Sequence, residues 1–333
     1  MVSTEKVKRL NIVTIGGGSG QFALLSGLRQ VREFDLTAVV SMVDSGGSTG
    51  RLRDELGILP PGDILKCVLA LSPHQEVVRN ILLKRFKVDR RLKGHNAGNM
   101  LLTMLSRYTG SFSSGVSALA EILDVQGKIL PVTMDRATLV AELTDGTRVY
   151  GESAIDMPRG TQREKIRDVY LVPHHSDAIT IFPPVLKAIE KADLIILGPG
   201  DLFTSIIPNL IVPGMSEALA NTQASILYLL NIMTKYGETH NFKARDFVTA
   251  LESHMNCRID GVLYNDRAPS TEQIELYRAQ KAEWVVLDEA DPCWQQRKRF
   301  AADLIETEGT MLRHDPIKLA RQVRHIVFGG LLP

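Results

Sequence analysis

The sequence predicts an α/β fold: a parallel sheet with helices packed on both of its faces. Short β-branched apolar runs alternate with amphipathic helical patterns towards both ends of the chain, the signature of strands joined by crossover helices. The first apolar run ends in a glycine cluster that opens a helical pattern, which is a strand-to-helix turn. With 333 residues the chain is long enough for a substantial buried core, arranged either as one large domain or as two lobes.

The elements follow in order. "LNIVTIG" and "DLTAVVSMV" read as the first two strands. "VVRNILLKRF", "AGNMLLTMLSRY" and "VSALAEILDV" carry apolar residues at helical spacing. The alternation then breaks. Residues 129–172 read as extended segments with a hairpin turn at Asp145-Gly146, which predicts an antiparallel β insertion. Parallel-strand patterns resume with "ADLIILGPG", "SILYLLNIM", "DGVLYN" and "EWVVLD", and "GTMLRHD" is a candidate final strand. "IKLARQVRHIVF" is a helix near the end, and the chain shows no internal repeat or low-complexity tract.

Composition excludes several classes of function. Lys and Arg total 39 against 38 Asp and Glu, a net charge of +1, so nothing global favours nucleic acid or an anionic membrane. Any phosphate must be held locally. Cys67, Cys257 and Cys293 are far apart, odd in number and without C-x-x-C spacing, which argues against disulfides or a zinc site and fits a reducing compartment. The opening "MVSTEKVKRLNIVTIGGG" lacks a secretory pattern and no run approaches a membrane span, so a cytoplasmic protein is expected.

Four clusters carry candidate chemistry. In "IGGGSGQFALLSGL", Gly16, Gly17, Gly18, Ser19 and Gly20 lie at a strand-to-helix turn, where bare backbone and the helix's positive end suit an anion. Gly18-x-Gly20-x-x-Ala23 meets a loose dinucleotide fingerprint, although such a turn is also a tight connection in its own right. At the end of the second strand, Asp44, Ser45, Gly46, Gly47 and Ser48 form a second donor-rich loop aimed at the same crevice. Arg51 and Arg53 suit phosphate or carboxylate oxygens. Asp44 and Asp63 suit Mg²⁺ or hydroxyl groups, and are the candidate catalytic and metal-ligating acids. The plainer alternative is a surface loop in which Arg53, Asp54 and Glu55 pair among themselves. In "LKGHNAGNMLL", Asn96 suits a helix N-cap, which leaves His95 and Asn99 unexplained. In "ILGPGDLFTSIIPNL", Gly198, Pro199, Gly200 and Asp201 follow a strand, at the end of an open sheet where ligands bind, and Asp201 is alternatively a cap.

Other features carry less. Adjacent His174 and His175 in a strand point to opposite faces and should not share a metal ion. The basic run "KRFKVDRRLK" has no aromatic residues interleaved for stacking on bases, and reads as a solvated face. The chain has no G-x-S-x-G elbow, H-E-x-x-H pair or P-loop.

Taken together, "IGGGSG", "VDSGGSTGRLRDE", "PPGD", "GHNAGN", "GPGDLFTSIIPNL", "NIMTKYGET" and "RHD" resemble the bacterial gluconeogenesis-factor (YvcK-type) branch of the 2-phospho-L-lactate transferase (CofD-like) family. The resemblance covers nearly the whole chain. It implies a single domain over 1–333, Rossmann-like, with the antiparallel segment 129–172 inserted in it. It also implies a nucleotide site at the strand carboxyl ends, to which Gly16 to Gly20, Asn99, Gly198 to Gly200, Thr204 and Asn231 would contribute, with Arg313 of the "RHD" block beside them. The bacterial branch implies binding of UDP-sugars such as UDP-N-acetylglucosamine and a regulatory link to gluconeogenic growth, cell shape and wall synthesis through a downstream partner. The archaeal-type relatives imply the alternative, Mg²⁺-dependent transfer of 2-phospho-L-lactate from a guanosine-type diphosphate carrier such as a GDP adduct to a deazaflavin precursor. A third reading, an NAD-binding protein, rests on the loose fingerprint and Asp44 alone. The chain departs from the branch where Ser45 stands in place of a second aspartate, Asp201 in place of a frequent serine and His240 in place of an aspartate. A homodimer is the expected oligomeric state.

Overall fold

The computed structural model describes residues 9–88, 92–158, 163–174, 178–307, 309 and 311–332. Its first strand is β1 (Leu10–Gly16), buried from Ile12 onward. The chain leaves β1 through α1 (Gly18–Leu28) and returns as β2 (Phe34–Val40), which pairs parallel with β1 from Leu10↔Phe34 to Gly16↔Val40. Five helices then follow: α2 (Gly47–Leu56), α3 (Gly62–Leu71), α4 (Gln75–Leu82), α5 (Ala97–Tyr108) and α6 (Phe112–Ile122). They lead to β3 (Lys128–Pro131), the edge strand beside β2.

The next segment leaves the main sheet. β4 (Ala137–Leu143), β5 (Arg148–Tyr150) and β6 (Ile166–Pro173) form a separate antiparallel sheet in the order β5-β4-β6, with α7 (Glu152–Asp156) between β5 and β6. The turn at Asp145-Gly146 forms as its sequence dictates: Asp145 accepts the Thr147 N–H at 2.9 Å, and Gly146 takes a positive φ of 84°. The insertion is narrower than the 129–172 that the sequence suggests. Residues 128–131 satisfy their backbone on β2, so the antiparallel sheet begins only at Ala137.

The chain re-enters through α8 (Pro183–Glu190) to β7 (Leu194–Leu197), which pairs with β1 on the side opposite β2. Short helices α9 (Ile207–Leu210) and α10 (Met215–Ala220) lead to β8 (Ser225–Leu229). Then come α11 (Ala244–Met255), β9 (Gly261–Asn265), α12 (Thr271–Ala279), β10 (Lys298–Ala302) and α13 (Pro316–Ile326). The parallel sheet runs β10-β9-β8-β7-β1-β2-β3, so strand order reverses between β1 and β7. At such a reversal, adjacent βα loops diverge and leave a crevice.

Two strand expectations fail. "EWVVLD" makes only an isolated bridge, Met233↔Trp284, with Val285 donating to Ile232, and so pins the loop after β8 without extending the sheet. "GTMLRHD" likewise gives only the bridge Ile305↔His314. The edge position goes instead to "KRFAA" of β10, whose exposed charges hide its strand character. His175, one of the paired histidines, and part of "KRFKVDRRLK" lie outside the described residues. Among the described residues no helix is long and apolar enough to cross a membrane.

Two contacts fix the ground beneath the crevice. Gln21 is fully buried, and its amide donates to Thr14 O at 3.3 Å, Thr14 Oγ1 at 3.1 Å and Val39 O at 3.1 Å, tying α1 to β1 and β2. Gly27 lets α13 cross α1 closely: a Cβ there would stand 1.9 Å from the Pro316 carbonyl oxygen. Gly27→Ala must separate the two helices, and should cost about 1–3 kcal/mol of stability by urea denaturation. A loss within the error of the fit would mean that the contact relaxes freely.

Candidate functional site

The crevice at the β1/β7 reversal opens into a cavity of about 1720 Å³. Its floor is made of the two glycine turns. Gly17 N-caps α1 with extended backbone and no capping side chain, so the first N–H groups of α1 face the crevice. The second turn, Gly198 to Gly200, meets the first so tightly that a Cβ on Gly20 would lie 2.2 Å from the Pro199 carbonyl oxygen. Asparagine side chains take up carbonyl oxygens of both turns: Asn209 donates to Gly16 O at 3.2 Å, and Asn231 donates to Gly200 O at 2.9 Å. The N–H groups of the first turn of α1 have no intrahelical partner and remain for a ligand.

Acids and lysines line the two walls. On the β2 side, Asp44 accepts the Gly46 N–H at 2.8 Å, while Asp63, in the first turn of α3, accepts from Lys66 at 2.8 Å. Burial, and then the like charge of Asp63, hold the Asp44 carboxyl above the usual range. Burial by itself would lower the Lys66 ammonium, but the Asp63 and Asp44 carboxylates outweigh it and raise it. Glu152 of α7 reaches over from the antiparallel unit, accepting from Ser45 N–H at 3.3 Å and Ser153 Oγ at 3.1 Å. Burial, with Asp44 and Asp156 nearby, pushes Glu152 up to about 7.

The β7 wall centres on Lys235. Its ammonium contacts Asp156, lies 2.8 Å from Asp201 and 3.2 Å from Glu238. Burial opposes its charge, but the three acids more than compensate and raise its pKa. Glu238 is 1% exposed and also accepts from Phe203 N–H and Thr204 Oγ1, each at 3.3 Å; burial, and then Asp201, raise its pKa. Arg313, by contrast, is exposed at the cavity edge, and among the described residues no ion pair or hydrogen bond holds its side chain.

The structure brings many of the sequence-predicted residues to this cavity and sets others apart. Gly17, Gly18, Ser19, Gly20, Asp44, Asp63, Pro199, Gly200, Asp201, Thr204, Asn231 and Arg313 line it. Gly16 and Gly198 lie just beneath, at the strand ends. The rest of the second loop turns inward: Ser48 Oγ and His95 Nδ1 share a 2.9 Å hydrogen bond, and Asn99 donates to Ser48 at 3.3 Å, all three being buried. Asn96 caps α5 by accepting the Asn99 N–H at 2.7 Å. Arg51 donates to Lys93 O at 2.6 Å, and Gly46 N-caps α2. Ser45 Oγ accepts the Ser153 N–H at 3.0 Å. Gly47 begins α2 in a left-handed conformation beside Arg85. Asp201, alternatively a cap, makes no capping bond and pairs with Lys235 instead. His240 accepts from Gly237 N–H at 3.3 Å within the turn after Lys235.

Glu152, Asp156, Lys66, Lys235 and Glu238 escape sequence reading. Lys235 and Glu238 share the "NIMTKYGET" block, where the i,i+3 spacing was a signal. Glu152 and Asp156 had none, because only the tertiary fold carries α7 to the crevice. Chemically, the site offers backbone donors for an anion. The Asp44 and Asp63 carboxylates repel one another, a repulsion that a hard divalent cation beside them would relieve.

Two outcomes test this geometry. Gly20→Ala forces the glycine turns apart and should cost about 1–3 kcal/mol in denaturant unfolding; an unchanged midpoint would contradict the close approach. For Glu152, the folded pKa lies above the unfolded one, so its ionisation subtracts stability progressively as pH rises from about 4.5 to about 7. Glu152→Gln should therefore be more stable than the parent at pH 8 and gain nothing at pH 4. Thermal melts at both values check this, and an equal difference at both would contradict it.

Comparison with known proteins identifies the family and the fold. Residues 12–305 match the family model described as 2-phospho-L-lactate transferase CofD. A Bacillus subtilis protein named gluconeogenesis factor is 38% identical over 310 residues, covering 93% of this chain and 95% of its own. One of the same name from Halalkalibacterium halodurans is 39% identical over 284 residues, covering 85% of this chain and 86% of its own. A crystal structure of a Bacillus halodurans protein superposes with a TM-score of 0.89 at 36% identity, over 95% of this chain and 100% of that one. The chain belongs to the CofD family and is similar over most of its length to the members named gluconeogenesis factors.

Proposed function

We propose that this chain is a regulatory protein that binds a nucleotide sugar of the UDP-N-acetylglucosamine or UDP-glucose type and ties gluconeogenic growth to cell shape and wall synthesis. One observation carries the reading: two glycine turns with uncapped N–H donors share the floor of a crevice whose rim holds an uncommitted arginine. The diphosphate would take the amides of Gly17 to Gly20 and Gly200, and Arg313 would pair with a terminal oxygen or the sugar. The relatives named gluconeogenesis factors support the metabolic link. In this reading the protein acts in the cytoplasm as a single domain, as a homodimer, through a downstream partner, and releases its ligand unchanged.

A second reading is favoured by the cavity. At about 1720 Å³ it exceeds the roughly 300–1000 Å³ typical of a site for one small ligand, leaving room for donor and acceptor together. In that reading the protein transfers a phospholactyl group from a nucleotide diphosphate to a deazaflavin precursor. Asp44 and Asp63 would hold Mg²⁺, whose charge would offset that of the diphosphate, and the remaining residues would position the two substrates.

Calorimetric titration with UDP-N-acetylglucosamine, UDP-glucose, GDP and NAD, followed by recovery of the ligand, separates these readings. The regulator should bind a UDP-sugar and return it intact. Arg313→Ala should weaken that binding about ten- to hundredfold, the loss of one charge-assisted hydrogen bond of roughly 1.5–3 kcal/mol. No heat with either UDP-sugar would overturn the reading, and phospholactate transfer to a deazaflavin precursor would replace it with the second.

A further inference from the structure

We propose that the Lys235 ammonium is a resident counter-ion, standing where a divalent cation would otherwise sit among Asp156, Asp201 and Glu238. The three carboxylates present oxygen atoms all within 4.8 Å of one another, the spacing of a metal ligand set. They arrive from separate places: α7 of the antiparallel unit, the turn after β7 and the loop after β8. Left alone they would repel, and Glu238, at 1% exposure, would be a buried charge without a counter-charge. An ammonium has three N–H donors, and here each carboxylate contacts the one ammonium.

Local structure holds the lysine in this role. Lys235 N–H donates to Thr239 Oγ1 at 3.0 Å, while Lys235 O accepts from Glu238 N–H at 3.2 Å and Thr239 N–H at 2.9 Å. This closed turn sets Lys235 and Glu238 on one side, facing Asp201. It also accounts for an acid beside the glycine turn: Asp201 lines the crevice, but its charge is met by Lys235. An anionic ligand could then approach Gly200 with no metal ion at this cluster. That consequence rests on the nucleotide reading above; the occupancy of the cluster by Lys235 does not.

The test is Mn²⁺ binding by the metal-stripped full-length chain, counted by electron paramagnetic resonance with no nucleotide present. Failure of the nucleotide reading therefore leaves it intact. Lys235→Met should bind one Mn²⁺ per chain more than the parent, Lys235→Arg should keep the parent's count, and Asp201→Ser placed in Lys235→Met should remove the gained ion. An unchanged count in Lys235→Met, or a gained ion that survives Asp201→Ser, would overturn the proposal. Should Lys235→Met fail to fold by circular dichroism, Lys235→Gln carries the same comparison.

Discussion

The structure turns on the contact between two glycine turns at the reversal of strand order. Because a Cβ at Gly20 would lie 2.2 Å from the Pro199 carbonyl oxygen, the first turn of α1 and the turn after β7 approach as closely as backbone permits. That closeness gathers α1's unpaired N–H groups and the Gly200 turn on one small surface. The buried Gln21 amide beneath, bonded to β1 and β2, and Asn209 and Asn231 alongside hold the two turns in register. An anion site made of backbone depends on that register, because amide donors cannot swing to meet a ligand as side chains can.

Around this floor the charged side chains are mostly acidic. Asp44, Asp63, Glu152, Asp156 and Asp201 all line the cavity, against Lys66 and Lys235 close to the turns. Each lysine is already committed, Lys66 to Asp63 and Lys235 to its three acids. The acids that line the cavity outnumber its cations; Arg79 lies over the Phe22 ring, and Arg313 at the rim makes no ion pair or hydrogen bond among the described residues. Ligand charge must therefore be met by amide dipoles, by Arg313 and by a cation at Asp44 and Asp63, or by proton uptake at acids whose pKa values already stand high.

Much of this was legible in the sequence. The glycine turns announce themselves because only bare backbone can make such approaches, and alternating apolar runs located β1, β2, β7, β8 and β9. Edge strand β10 did not, since its "KRFAA" carries the charges that keep an edge from pairing further. The second donor-rich loop reads from sequence as a wall of the crevice; in the structure Asp44 lines the cavity while Ser48 turns inward. Ser48, His95, Asn96 and Asn99 bond to one another and to the start of α5, a network that composition cannot distinguish from a ligand shell, although Asn99 Oδ1 stays buried with no hydrogen-bond partner among the described residues. Glu152 and Asp156 were invisible because nothing near them in sequence marks them, and a five-residue helix in an insertion reads as a connector.

That short helix gives the antiparallel unit a physical role. At its start, Glu152 accepts from Ser45 N–H, and Ser153 N–H donates to Ser45 Oγ, clasping the Asp44 loop. At its end, Asp156 contacts Lys235 on the opposite wall. Arg163 bonds the Ala154 and Ile155 carbonyls at 3.0 and 2.9 Å, so the helix is held from outside as well. One element thus spans both walls of the crevice, and its two acids are the groups whose energy depends most directly on charge placed between them. A phosphate arriving on the glycine turns would raise the cost of both acids, while a cation beside Asp44 would lower that of Glu152. The unit is therefore fastened to the site by bonds whose strength depends on what occupies it, whereas a purely structural insertion would need only the apolar contacts of β4 and β6 with the core.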